Sequence, residues 1–118
     1  MSVDGGPERG GEGGGGGDEL KLLSEITREP ALRSSARVLI LISLALNRHL
    51  SFTDLLSLTG LGKGSLSNHI EKLEESGFVR TRIVRTFRGY RTVVSITPKG
   101  LEAYTSFMEL LRRIGERA

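Results

Sequence analysis

"TGLGKGSLSNHI", residues 59–70, decides the fold. Read one way, Gly60, Gly62 and Gly64 around Lys63 make a loop that cradles a phosphate, and the chain is a nucleotide-binding enzyme. Read the other way, they are a short turn feeding a helix that carries Ser65, Asn68 and Lys72 on one side. A phosphate loop needs G-x-x-x-x-G-K-[ST] behind a buried strand. Here Gly64 follows Lys63, where the metal-holding hydroxyl belongs, and Ser57 stands where the first glycine belongs. The preceding segment reads as helix. The phosphate loop fails on all three counts.

The turn-and-helix reading survives the same scrutiny. Thr53 is expected to cap "DLLSLTG", Asp54 suits its first turn, and Gly60 stops it. Leu61 then plugs a tight turn. The next helix runs from about Lys63 to Ser76, with Gly77 as its stop. Leu66, Ile70 and Leu73 are spaced i, i+4, i+7 and face inward. Gly64, Ser65, Asn68, Glu71 and Lys72 therefore project near the opposite face, with Ser67 at its flank. Serine and asparagine are short, and asparagine can pair bidentately with adenine in a major groove. Gly64 lets a backbone come close, and the helix start offers free N–H groups to a phosphate.

Beyond Gly77 the period changes. "FVRTRIVRT" and "RTVVSI" are rich in β-branched residues, with "FRGY" between them, and predict a hairpin. Residues 78–96 hold Arg80, Arg82, Arg85, Arg88 and Arg91 and no acidic residue. Like charges across paired strands repel, so a neutralising partner such as phosphate is expected, and arginine suits it bidentately. At the tip, Arg88 beside Gly89 can enter a narrow A·T minor groove. Phe87 and Tyr90 flank it, either packing the turn or lying against the sugar backbone. In "TPKG", Thr97 caps a last helix and Pro98 takes its first position.

Upstream, Asp18 is read as the cap of "ELKLLSEITRE", which stops before Pro30. Ser34 or Ser35 caps a second helix through about Asn47. Its run "VLILISLAL", nine residues, is far short of the ~20 that span a bilayer, so it reads as core. "HLSF" suits a small strand with Leu50 and Phe52 on one side. Met1–Gly17 holds nine glycines and no apolar run, and nothing in it could repay ordering by burial. It is expected to be a disordered tail, with neither the basic start nor the apolar core of a signal peptide. One of the chain's 17 basic and three of its 14 acidic residues lie in that tail, so 18–118 carries a net +5, which favours a polyanionic partner.

The expected fold is mainly α with a small β-hairpin, an α+β winged helix-turn-helix over 18–118 with flanking N- and C-terminal helices. The last helix, about 98–115, bears the stripe Leu101, Tyr104, Met108, Leu111 and Ile114 at a period near 3.5. Together with Leu20, Leu23 and Ile26 it predicts a homodimer interface.

"LTGLGKGSLSNHIEKLEESGFV", the arginine-rich wing and "ITPKG" resemble the winged-helix regulators of the MarR/ArsR superfamily, above all their compact archaeal and bacterial forms. The resemblance covers about Ser35–Tyr104. It implies a dimer that binds palindromic operators in double-stranded DNA, often as a repressor. By position Lys63, Ser65, Asn68 and Lys72 match the recognition helix, and Arg85, Arg88 and Arg91 match the wing. The sequence departs from the family at Gly62 and Gly64, where such proteins carry serine-like residues.

Other chemistry finds no support. The chain has no cysteine, which excludes disulfides and thiolate metal sites and fits a reducing cytoplasm. His49, at the end of the second helix, and His69, half-buried or near a phosphate, belong to no metal-spaced cluster. Glu71, Glu74 and Glu75 read as a solvated face paired locally with Lys72. No nucleophile–base pair is visible, so neither an enzyme, a cofactor nor a metal is expected, and the residues name no small-molecule effector. The expected function is a sequence-specific DNA-binding transcriptional regulator. The alternative is a winged helix used as a protein-interaction module or as a general architectural DNA binder.

Overall fold

The computed structural model describes residues 15–118. Of the disordered tail expected over Met1–Gly17, residues 1–14 lie outside the described residues, and Gly15–Gly17 are not disordered but form the first turn of a helix. Helix α1 spans Gly15–Ile26. It begins before Asp18, which sits in the first turn rather than at the cap, where a carboxylate still favours the positive end of the helix dipole. A single 3-10 turn at Pro30–Leu32 follows, with Glu29 accepting from the Ala31 N–H.

Helix α2, Ser35–Asn47, is capped by Ser34, whose hydroxyl accepts from the Arg37 N–H. Ile40, Leu41 and Leu44 are almost wholly buried. The helix ends before His49 rather than at it. Arg48 turns the chain with φ 69 and ψ −45, an arrangement few non-glycine residues adopt. Its carbonyl then receives the Ile96 N–H at 3.0 Å. Strand β1 is only His49–Ser51. Phe52 opens helix α3, Phe52–Thr59, instead of extending the strand. The cap is Ser51, not Thr53. Its hydroxyl accepts from the Asp54 N–H at 3.0 Å while the Asp54 carboxylate accepts from the Ser51 N–H at 3.3 Å, a reciprocal box.

Helix α4 is Lys63–Glu75. Gly77 follows it with φ 78, the left-handed turn that glycine supplies cheaply. Strands β2, Val79–Thr86, and β3, Gly89–Ile96, form the hairpin. With β1 they make an antiparallel sheet in the order β1-β3-β2. Helix α5, Pro98–Arg117, is capped by Thr97 as expected. It starts pressed against the hairpin's base. A Cβ on Gly100 would lie 2.1 Å from the Phe78 carbonyl oxygen, so only glycine fits there.

The core lies where α2, α3, α4 and the sheet meet. Leu44, Leu55, Leu66, Leu73 and Val94 are fully buried in it. Each contributes roughly 1.5–3 kcal/mol relative to an exposed side chain. Helix α1 lies antiparallel on α5: Glu19 pairs with Arg117 at 2.7 Å, and Ile26 shares a cleft with Ala103 near the other end. The architecture is the α+β winged helix that the sequence predicts.

Candidate nucleic-acid interface

Helix α4 is aimed by its buried side. Leu66, Ile70 and Leu73 are locked in the core, and Leu61 packs against the same cluster from the turn. At 100° per residue this leaves Gly64, Ser65 and Asn68 exposed on the outward side, with Lys63 beside them. Gly62 is the N-cap and supplies no side-chain hydrogen bond, so the amides of the first turn have no capping partner. A Cβ at Gly62 or Gly64 would meet nothing within 4 Å. The first half of α4 is therefore a surface of short polar side chains and open backbone.

The second half is different. Lys72 pairs with Glu75 at 3.6 Å, as the sequence suggests for this acidic run. Glu74 is exposed as expected but does not pair with Lys72. Its carboxylate accepts from the Thr81 N–H at 3.2 Å and from the Thr81 hydroxyl at 2.9 Å. It fastens the helix to the hairpin. Ser67 lines the cleft between α4 and the sheet with Glu71, Glu74, Thr81 and Thr92. Carboxylates thus crowd the distal half, and the N-terminal half is the side of least repulsion for a polyanion.

The hairpin register sorts the arginines. Arg80 faces Ser95, Arg82 faces Val93, Arg85 faces Tyr90 and Arg91 faces Val84. No arginine lies directly opposite another, so the expected cross-strand repulsion is relieved by register. Successive side chains alternate between faces. Arg80, Arg82 and Arg91 therefore share the face away from α4. Arg85 shares the α4-facing side with Thr81 and Val94, and Arg88 sits in the turn. All five are exposed, and among the described residues none is in an ion pair with a carboxylate. Phe87 and Tyr90 do not pack the turn: they are 96% and 76% exposed. The turn is held instead by Thr86, whose hydroxyl donates to the Gly89 carbonyl at 2.8 Å and accepts from the Arg88 N–H at 3.2 Å.

Two further contacts fix α4, and nothing in the sequence pattern signalled them. The Arg37 Nε–H donates to Nδ1 of His69 at 3.1 Å, and another Arg37 N–H donates to the Pro30 carbonyl at 2.6 Å. The Ser76 hydroxyl donates to Glu29 at 2.7 Å. Burial, reinforced by the Arg37 charge, holds the His69 imidazole below its usual pKa. The neutral ring is the form that can accept from Arg37.

The stripe on α5 divides. Ala103, Leu110 and Arg113 face α1 and its surroundings, and Ile114 lines a cleft with Leu20 and Arg117. Leu101, Tyr104, Met108 and Leu111 lie on another side of the helix. They are half-buried, except Leu111, which is exposed. Leu23 and Ile26 are half-buried against the chain itself and Leu20 is exposed. Leu22, Leu39 and Leu46 are exposed as well, though the sequence pattern did not single them out. A bracket of ion pairs joins Arg112 to Glu109 and Glu116, and Arg113 to Glu109. Among the described residues no helix is long and apolar enough to cross a membrane, and no cluster of side chains could hold a metal ion.

The chain has known relatives of sequence and fold. An uncharacterized protein of Methanocaldococcus jannaschii is 35% identical over 75 residues, which is 64% of this chain and 82% of the relative. The structure of a transcriptional regulator homologue from Pyrococcus horikoshii OT3 superposes with a TM-score of 0.70 at 34% identity, covering 84% of this chain and 95% of that one. A MarR mutant from E. coli, complexed with operator DNA, shares the fold at a TM-score of 0.62 and 20% identity, over 80% of this chain and 66% of that one. The family that the chain matches is a DNA-binding domain and not an enzyme class. Residues 36–114, from the start of α2 almost to the end of α5, match the family described as winged helix DNA-binding domain. Both the exposed helix and the arginine wing lie inside that span, and the chain belongs to that family.

Proposed function

We propose that this DNA-binding regulator is sequence-specific and works as a homodimeric repressor. The N-terminal half of α4 enters the major groove, and the wing lies on the flanking backbone or minor groove. One observation carries the reading: the exposed N-terminal half of α4, which holds no carboxylate, presents Ser65 and Asn68, beside a hairpin whose arginines have no ion-pair partner among the described residues. Lys63 and the open first turn suit phosphate; Asn68 suits a base edge. Arg85 and Arg88, on the α4 side and at the tip, meet the nearest phosphates. Arg80, Arg82 and Arg91 reach outward to flanking ones. Lys72, tied to Glu75, is a weaker phosphate contact. Leu20, Leu22, Leu101, Tyr104, Met108 and Leu111 supply the surface for a second copy, with Leu23, Ile26 and Ile114 supporting it from within. On this reading the protein acts in the cytoplasm, on DNA.

The test is selection of duplexes from a random pool by the full chain. The selected duplex and a scrambled one are then titrated at two salt concentrations. A preference of roughly 10³-fold or more for the selected site supports the proposal. Equal binding to both makes the protein an architectural binder. No binding to either at low salt makes the winged helix a protein-interaction module.

A further inference from the structure

The outer half of the wing carries apolar side chains that none of the described residues covers. Ile83 is 73% exposed, and with Tyr90 and Phe87 it clusters at one end of one hairpin. Alternation and register put Ile83, Arg85, Tyr90 and Thr92 on the α4-facing side, continuing outward from Thr81 and Val94. Scattered exposed apolar residues are ordinary on any protein. These three are not scattered, and Arg85, Arg88 and Arg91 are interleaved with them, with no carboxylate between 78 and 96. A partner matching this surface must offer negative charge outside and an apolar slot within. A DNA duplex does both, in its phosphates and the faces of its stacked bases. The mount is also stiff. The loop between the strands is only Phe87 and Arg88, and Thr86 braces it by two hydrogen bonds. A side chain that parts two base pairs needs such a support.

We propose that Phe87 is a wedge, which enters a minor groove, partly unstacks one base step and bends the duplex around the wing. This rests on the DNA-binding reading above. Arg88 and Arg85 hold the phosphates on either side, while Tyr90 and Ile83 cover the adjoining sugars. Side chains used in this way kink DNA by roughly 20–90°. Pyrimidine–purine steps part most easily, so the wing selects a TA or CA/TG step without touching a base edge.

The experiment uses the full chain and the duplex it selects from a random pool. The duplex carries a donor and an acceptor dye at its ends, and 2-aminopurine replaces adenine at successive positions under the wing. Binding is expected to shorten the end-to-end distance and to raise fluorescence at one step. Phe87→Ser should lose both signals while keeping the salt dependence of binding, because the arginines remain. Phe87→Leu, still apolar, should keep most of both. Neither change touches the core, so the thermal midpoint should stay put. Wild-type binding without a bend overturns the wedge, as does a Phe87→Ser variant that bends DNA as before, which would leave the patch to a protein partner. A Phe87→Ser variant that also loses its salt dependence overturns it too. Failure of the wild type to bind any duplex overturns the DNA reading itself, which the same titration shows separately.

Discussion

Asn68 stands near the middle of the exposed side of α4, next to Gly64 and Ser65, with the carboxylates of the helix all beyond it. Its placement was legible in the sequence, because the inward triplet Leu66, Ile70 and Leu73 fixes what must point outward. Asn68→Ala should cost ~1–3 kcal/mol on the selected site and little on scrambled DNA, measured by fluorescence anisotropy. Equal loss on both duplexes would place Asn68 on the backbone instead. One residue along, His69 was only half legible. Its burial followed from the helical period, but its partner did not, since Arg37 is 32 positions away. The folded pKa of His69 lies below the usual 6.5. The unfolded chain therefore takes up that proton first, and stability from this site is complete above about pH 6.5 and is lost as pH falls through and below it. Urea midpoints measured on either side of that value should fall on acidification in the wild type and change less in His69→Gln. Glu109, held at about 2 from 4.5 by Arg112, responds only in a more acidic window, so the two contributions separate on the pH axis.

The hairpin shows both sides of what a sequence discloses about an element. Its existence and its span were readable from the switch to β-branched residues around "FRGY". Which arginine faces which neighbour was not, because that depends on the number of residues in the turn. With a two-residue loop, each of the four strand arginines finds a neutral residue opposite, and the wing arginines fall into separate groups. Arg85→Ala or Arg88→Ala should flatten the slope of log K against log salt by ~0.9 per lost phosphate contact, hence ~1.8 in a symmetric dimer. Arg80→Ala, nearer the body and on the far face, should change it less. Equal slopes for all variants would show that the faces are not distinguished. Helix α3 gives a similar lesson on a smaller scale. Phe52 was read as the strand partner of Leu50, which moved the expected cap to Thr53. The S-x-x-D spacing of Ser51 and Asp54 was present in the sequence, but only the backbone geometry selected that box over the alternative.

At the level of the molecule, α1 and α5 form one antiparallel pair that leaves apolar side chains facing away from the chain. The regular spacing on α5 was visible in the sequence. That one side of the helix would meet α1 of the same chain, drawing Ile114 away from Leu111, was not, because a helical period does not name the neighbour on each side. If two copies pair here, the two α4 helices stand about one DNA turn apart, ~34 Å. Leu111→Glu should then yield monomers in sedimentation at micromolar concentration, with weaker operator binding. A dimer that survives the change would move the interface elsewhere.

The rung-by-rung pairing of β2 and β3 also makes the wing a ruler with a parity. Removing one opposed pair, Ile83 with Thr92, would retract the tip by ~3.3 Å and turn it over. Arg85 and Tyr90 would then point away from α4, and Val84 and Arg91 towards it. Removing the next pair as well, Val84 with Arg91, would retract the tip by twice that distance and restore Arg85 and Tyr90 to their side. If orientation matters more than reach, DNA affinity measured by anisotropy should be lower for the one-rung deletion than for the two-rung deletion. A steady decline with each rung would mean that length alone is being read.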